Sequence, residues 1–431
     1  MWRDIAVRSV WLSAGSAVGR LLPFLVLVML GHRLPTAEFA SIGVGFAWTA
    51  VAASLTTAGL ANVTTQRLAL LGPHSQRAFI RHTVRLGCLF SGALLVVAAV
   101  AGPEGARLAF GHALDPSVVW PALVCGSVWS LVMLIVAIFN GQHRPRSAAS
   151  VLGLGGALQG TGLIVGHTLG NTAQMVMWGA ALGNVLALAW AIARVRTKHP
   201  DAGLALGDIE PKVHDHIGRS IAWSSLAAAS VMPVTFVAGS LVSHTTDGTR
   251  QLAAFQALEQ LHQLAIYLPG VLGQALLPVL AVHFDRRSGE AVRKVVRASM
   301  VLAVVGSVLA AALAWEPGWL LRSVGNPALT DPAATRAMLL NAGLAVSLSL
   351  LGGGLLACGH YARATLMNLG WAALFLGMAW HWRGDGVVGI ETARLYASWA
   401  LLVAASAALW FGASVRPVAT ASASNSFSCP P

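Results

Sequence analysis

Charge is what this sequence has least of. Only 10% of its 431 residues are Asp, Glu, Lys or Arg, against 56% hydrophobic, and the mean hydropathy is +0.69. Soluble domains carry about 25% charged residues. The composition therefore excludes a soluble globular chain and implies an integral membrane protein. Acids are scarcer than bases, 16 against 28, for a net charge of +12. In a soluble chain that excess would suggest nucleic acid; in a membrane chain it must be weighed against topology.

Cysteine is also scarce. Cys88, Cys125 and Cys358 lie inside apolar segments, Cys429 lies near the end, and no C-x-x-C pair occurs. That excludes a disulfide framework and argues against a metal or redox site. No cofactor is implied, and no spacing supports a Ser–His–Asp or Cys–His catalytic set, so the chain does not read as an enzyme. "HDH" at 214–216 reads as part of a solvated linker. "GLGGALQG" at 153–160 has Leu158 at the third glycine position of a nucleotide-binding loop, and no strand precedes it. Gly156–Gly160 and Gly162–Gly166 read instead as sites of close helix packing. "NVT" at 62–64 fits a glycosylation sequon but falls on the expected inner side.

What the chain has is long apolar runs. A membrane span needs about 20 mainly apolar residues. Twelve runs qualify: 9–31, 38–60, 82–101, 117–139, 147–166, 173–193, 220–241, 251–271, 298–315, 337–358, 361–381 and 393–414. The first continues too far for a secretory signal and reads as a span. Residues 417–431 are small and polar, as in a disordered tail. With the N-terminus inside, the inner segments hold 20 Lys and Arg and the outer segments seven, with Arg20 left within a span. That bias fits both termini on the cytoplasmic side, and explains the net charge without nucleic acid.

The chain repeats. "RSVWLS" at Arg8 recurs as "RSIAWS" at Arg219, Pro23 as Pro233, and "RHTVR" at Arg81 as "RKVVR" at Arg293, all at an offset near 211. The fold class expected is an all-α polytopic membrane protein, with twelve spans in two six-helix bundles related by pseudo-two-fold symmetry. Residues 1–196 form the first bundle, 197–218 a cytoplasmic linker and 219–416 the second bundle. An even number of spans per repeat makes the repeats parallel, with a central cavity between them. Short amphipathic stretches, "ANVTTQRLALL" and "QALLPVLAVHFDRR", follow spans 2 and 8 and read as interfacial.

Span 8 is oddly polar. Gln256, Glu259, Gln260, Gln263 and Tyr267 fall within about a 100° arc of one helix, with His262 a turn from Glu259. A charge near mid-bilayer costs about 2.5–3.5 kcal/mol even on the lenient insertion scale, so this arc must face protein or water. Span 1 carries a matching stripe of Ser9, Ser13, Ser16 and Arg20. Arg20 suits an anionic head group. Glu259, with His262, suits ion coupling. A structural Arg20–Glu259 ion pair is the alternative. Arg81, Arg85, Arg293 and Arg297 stand symmetrically at the inner ends of spans 3 and 9. They read as a cationic inner entrance or as topology determinants and contacts to membrane lipid.

The stretches "SAGSAVGRLLPFLVLVMLGHRLPTAEFASIGVGFAWTAVAASLTTAGLANVTTQRLA" and "AAFQALEQLHQLAIYLPGVLGQALLPVLAVHF" resemble the openings of the two halves of bacterial oligosaccharide-lipid flippases. These form the polysaccharide-export branch of the multidrug/oligosaccharidyl-lipid/polysaccharide exporter superfamily. The resemblance implies a two-bundle, twelve-helix carrier with a cationic cavity. It would move an oligosaccharide on a polyprenyl pyrophosphate between leaflets by alternating access, beside glycosyltransferases and a glycan polymerase of the same pathway. It also places a basic residue where Arg20 stands. Two departures stand out: Thr57 and Ala58 where the family often has an acid, and Glu259-Gln260 where it often has Tyr-Arg. The second makes the cavity less cationic. A multidrug antiporter of the same superfamily, and a membrane-embedded polymerase or acyltransferase, remain as alternative readings.

Overall fold

The computed structural model describes residues 2–69, 71–111, 115–198, 211–266, 288–317, 331–357 and 361–412. Among them are fourteen α-helices and no strand. The first half holds α1 (Trp2–Arg33), α2 (Thr36–Ala53), α3 (Gly59–Leu68), α4 (Pro73–Phe110), α5 (Val119–Gly141), α6 (Pro145–Leu169) and α7 (Ala173–Lys198). The second holds α8 (Pro211–Ala229), α9 (Met232–Ser243), α10 (Gly248–Ala265), α11 (Ser288–Trp315), α12 (Pro332–Ala357), α13 (Tyr361–His381) and α14 (Gly386–Gly412). Proline sets many of the starts: Pro73, Pro145, Pro211 and Pro332 open their helices, where a missing N–H is no loss.

Eight segments among the described residues are long and apolar enough to cross a membrane. They coincide with the first seven expected spans and the twelfth. Met300–Trp315 in α11 is a shorter apolar helix. Two spans are interrupted. α2 passes into α3 through a π-helical turn at Ser54–Ala58. The seventh span breaks between α8 and α9 at Ser230 and Val231, because Pro233 opens α9 and cannot donate to the turn before it.

The internal repeat is visible in the packing. α1 packs on α6 as α8 packs on α13; α6 on α7 as α13 on α14; α5 on α7 as α12 on α14; and α4 on α5 as α11 on α12. In the first bundle glycine permits close contact. A Cβ at Gly156 would collide with the Gly19 backbone, and one at Gly162 with Gly179. The nucleotide-loop lookalike is thus a helix-packing face, as its spacing suggested.

Other expectations change. α3, read as an interfacial stretch, has Leu60, Val63, Thr64 and Leu68 fully buried between α5 and α8. Its counterpart, 274–287, lies outside the described residues, as do Tyr267 and the tail. α4 runs well beyond 82–101 at both ends. α7 reaches Lys198 and α8 starts at Pro211, which puts "HDH" on a helix.

Candidate functional site: a polar chamber and a buried ion cluster

The bundles meet along α2 and α3 on one side and α8 to α10 on the other. Near one end, Phe236 of α9 stacks edge-on against Trp48 at 4.6 Å and Phe110 at 4.9 Å. Ser240 Oγ and His244 also bond the Ala109 carbonyl there. Near the other end Gly59 lies against the Ser225 backbone, and Gln66 Nε2 donates to the Leu356 carbonyl at 3.2 Å. Between these closures lies a chamber of about 420 Å³.

Its polar walls include Arg20 from α1, Thr57 and Asn62 from the interrupted span, Gln159 from α6, and Gln260 and Gln263 from α10, beside apolar residues such as Phe24, Phe46 and Met133. The π-helical turn re-aims its hydroxyls: Thr57 Oγ1 donates to the Ser130 carbonyl at 2.9 Å. Arg20 is exposed within an apolar helix. The chamber explains how such a cation is tolerated, since irregular or charged groups at membrane depth must line a cavity or be buried in protein.

Not all of the expected stripe reaches this chamber. Ser13 is half-buried and Ser16 buried, and neither is among its lining residues. Gln256 is buried at the α2–α10 crossing, where a Cβ at Gly43 would collide with it. Arg85 and Arg297 are exposed, Arg81 is half-buried, and none of the three lines the chamber. The side chain of Arg293 lies outside the described residues.

Glu259 turns away from the chamber, into the second bundle. Its cation is Arg394 of α14, with Nη2 2.8 Å from Glu259 Oε2. The ion pair weighed between Arg20 and Glu259 thus gives way to one within Glu259's own half. Arg394 also lies 3.3 Å from Glu391 Oε1, one turn earlier on α14. Relative exposures are 8% for Glu259, 0% for Glu391 and 2% for Arg394. The guanidinium sits 5.5 Å from the Phe255 ring and 5.6 Å from the Phe375 ring, so aromatic faces flank it. His262 accepts from Asn341 Nδ2 of α12 at 3.0 Å. Gln251, at the start of α10, accepts from the Val387 N–H at 3.2 Å and pins α10 to the start of α14.

Sequence reasoning missed Glu391 and misplaced Arg394. The glycines and charges of 383–394 hide the start of span 12, which the apolar run puts at 393. With α14 starting at Gly386, Arg394 lies within the helix. The available signal was the i, i+3 spacing of Glu391 and Arg394 on an apolar helix face.

Two groups of residues therefore share α10. Gln260 and Gln263 face the chamber, and Glu259 faces Arg394. Gln263 joins the two, since its Nε2 donates to Glu259 Oε1 at 2.7 Å. No group of His, Cys, Asp and Glu among the described residues is arranged to hold a metal ion.

No family model matches the chain, and no curated relative does. Solved structures match along almost its whole length. A MOP-superfamily transporter from Pyrococcus furiosus, described with a binding pocket of reversed polarity, is 15% identical with a TM-score of 0.76 over 95% of each chain. A multidrug-resistance MATE-family transporter in an outward-facing conformation gives 15%, 0.75 and 95% of each chain. An inward-facing one gives 14% and 0.73, over 93% of this chain and 94% of the other. The fold is that of the MOP-superfamily transporters. The chain is thus a multi-pass membrane protein with the MOP fold's two bundles and a central cavity. In solved MOP transporters that fold is seen open to either side of the membrane.

Proposed function

We propose that the chain is a carrier that moves a polyprenyl-pyrophosphate-linked oligosaccharide from the cytoplasmic to the outer leaflet of a bacterial inner membrane, for surface polysaccharide synthesis. Both termini are cytoplasmic in this reading. Glycosyltransferases supply the substrate and a polymerase consumes the product. The observation that carries it is Arg20, an exposed guanidinium in a chamber between the bundles whose other polar groups are amides and hydroxyls set among apolar side chains. Guanidinium matches phosphate oxygens in a fork, and amides suit sugar hydroxyls. The resemblance of the two repeat openings to oligosaccharide-lipid flippases supplies the glycolipid. Arg85 and Arg297, exposed on α4 and α11, fit a cationic approach from the inner side.

A second reading, a multidrug antiporter, has its own support. The neighbours include multidrug MATE transporters, and the Glu259–Arg394–Glu391 cluster holds two carboxylates to one guanidinium. A bound proton would neutralise that imbalance.

The test is to delete the gene, reintroduce Arg20→Ala, and measure lipid-linked glycan in each leaflet. The variant should express normally, accumulate glycan on the inner leaflet and transport at least about tenfold less, as expected for losing a charge-assisted contact. Full transport by Arg20→Ala would reject the pyrophosphate role. Even glycan distribution in the deletion strain, with raised drug sensitivity, would favour the antiporter.

A further inference from the structure

The chamber has an apolar neighbour. A second room, of about 320 Å³, lies inside the second bundle among α8, α12, α13 and α14. Leu348, Leu351, Leu355, Met367, Leu401 and Ala405 are among its walls. Leu351 and Leu355, on its floor, are buried. The Asn368 amide there already donates to the Ala227 carbonyl at 3.0 Å, leaving the surface more apolar than its composition.

The two rooms share Ser54, Asn62 and Met232 as lining residues. These three mark the two interrupted spans. Ser54 opens the π-helical turn, Asn62 follows it on α3, and Met232 is the first residue past the α8–α9 break. So the polar and apolar rooms meet where both helices are irregular, in keeping with the rule that irregular backbone at membrane depth lines a cavity. The apolar room lies toward the C-terminal end of α12, the N-terminal end of α13 and the first half of the seventh span, around Ser224 to Met232, the half assigned to the cytoplasmic side. An amphiphile taken from the inner leaflet would meet it on the side from which its chain comes.

We infer that the apolar room seats the first carbons of the hydrocarbon chain of an anionic amphiphile whose charged head occupies the polar chamber at Arg20. This rests on the proposed head-group role of that chamber. The size limits the claim. An apolar cavity near 150 Å³ admits benzene, so 320 Å³ takes roughly ten to twelve carbons. That is the length of a geranyl group, so the rest of a polyprenyl chain would extend beyond it.

Gly352 provides the lever. It lines the room, and a Cβ built on it meets nothing within 4 Å. Gly352→Leu therefore grows into the room from a Cβ that strikes nothing. The experiment measures binding of geranyl pyrophosphate and of inorganic pyrophosphate to the full-length protein in amphipol. The wild type should prefer geranyl pyrophosphate by at least about 100-fold, a small part of what burying ten carbons can supply. Gly352→Leu should cut that preference below about fivefold and leave pyrophosphate binding unchanged. Arg20→Ala should weaken both ligands. Gly352→Ala, a milder filling, should lower the preference several-fold and serves if the leucine variant does not fold. Equal wild-type affinity for the two ligands, or an undiminished preference in both glycine variants, overturns the chain site while leaving the head-group role standing. Failure of the wild type to bind either ligand overturns both.

Discussion

Arg394→Met removes the guanidinium between two buried carboxylates while keeping a long apolar side chain. Arg394 lies 2.8 Å from Glu259 and 3.3 Å from Glu391 and is 2% exposed. Breaking a buried pair by removing one partner costs about 3–5 kcal/mol, because the other charge stays buried without compensation. Here two carboxylates would be left facing each other. The contacts to the Phe255 and Phe375 rings are lost as well, for about 0.5–2 kcal/mol more. Either carboxylate alone is a different matter. Glu391→Gln keeps Glu259 with Arg394, so the cluster is left balanced and the cost should stay below about 1 kcal/mol. Removing all three charges, as Arg394→Met with Glu259→Gln and Glu391→Gln, should recover most of the loss. The assay is unfolding of each detergent-purified variant by heat and by denaturant, followed by tryptophan fluorescence. Wild-type stability in Arg394→Met would refute the reasoning. So would a triple variant no more stable than the single one, because then packing and not charge would govern the site.

Two further outcomes follow from the same geometry. Glu259→Gln should flatten the pH profile of transport if the surplus carboxylate charge takes up a proton each cycle, measured as flux into vesicles between pH 5.5 and 8.5; an unchanged profile excludes Glu259 from coupling. Gly156→Leu should abolish folding, since even a Cβ there collides with the Gly19 backbone, whereas Gly92→Ala, which meets nothing within 4 Å, should be neutral or add up to about 1 kcal/mol of stability; equal expression of the two would contradict the proposed α1–α6 contact.

The parts of this molecule legible in its sequence are those fixed by length, period and spacing. Long apolar runs placed eight of the twelve expected spans, because lipid leaves a backbone few options. The common offset of Arg8 with Arg219 and Pro23 with Pro233 announced two halves, and the packing pairs repeat accordingly. Polar residues within span 8 marked α10 as a helix that faces protein. Direction was less legible. A 100° arc is wide enough for Gln260 to face one space and Glu259 another, and only the neighbouring helices decide between them. The partner of Glu259 lies 135 residues later, on a helix whose start was hidden by glycines and charges. The π-helical turn at Ser54–Ala58 has no signature in residue type, because its extra residue is absorbed by packing against α5 and α8.

α10 joins the ion cluster to the chamber through one side chain. Were Glu259 merely structural, its carboxylate could be shielded anywhere in the second bundle. Instead Gln263 lines the chamber and donates to that carboxylate at 2.7 Å. A bound proton on Glu259 Oε1 would convert that acceptor into a donor and oblige the Gln263 amide to turn or move away. The amide would then present a different face to whatever occupies the chamber. Occupancy that orders Gln263 must, by the same linkage, change how readily Glu259 holds a proton. In the antiporter reading, coupling between cargo and ion would need no long path through the protein, only one glutamine a turn along the helix from the acid it bonds.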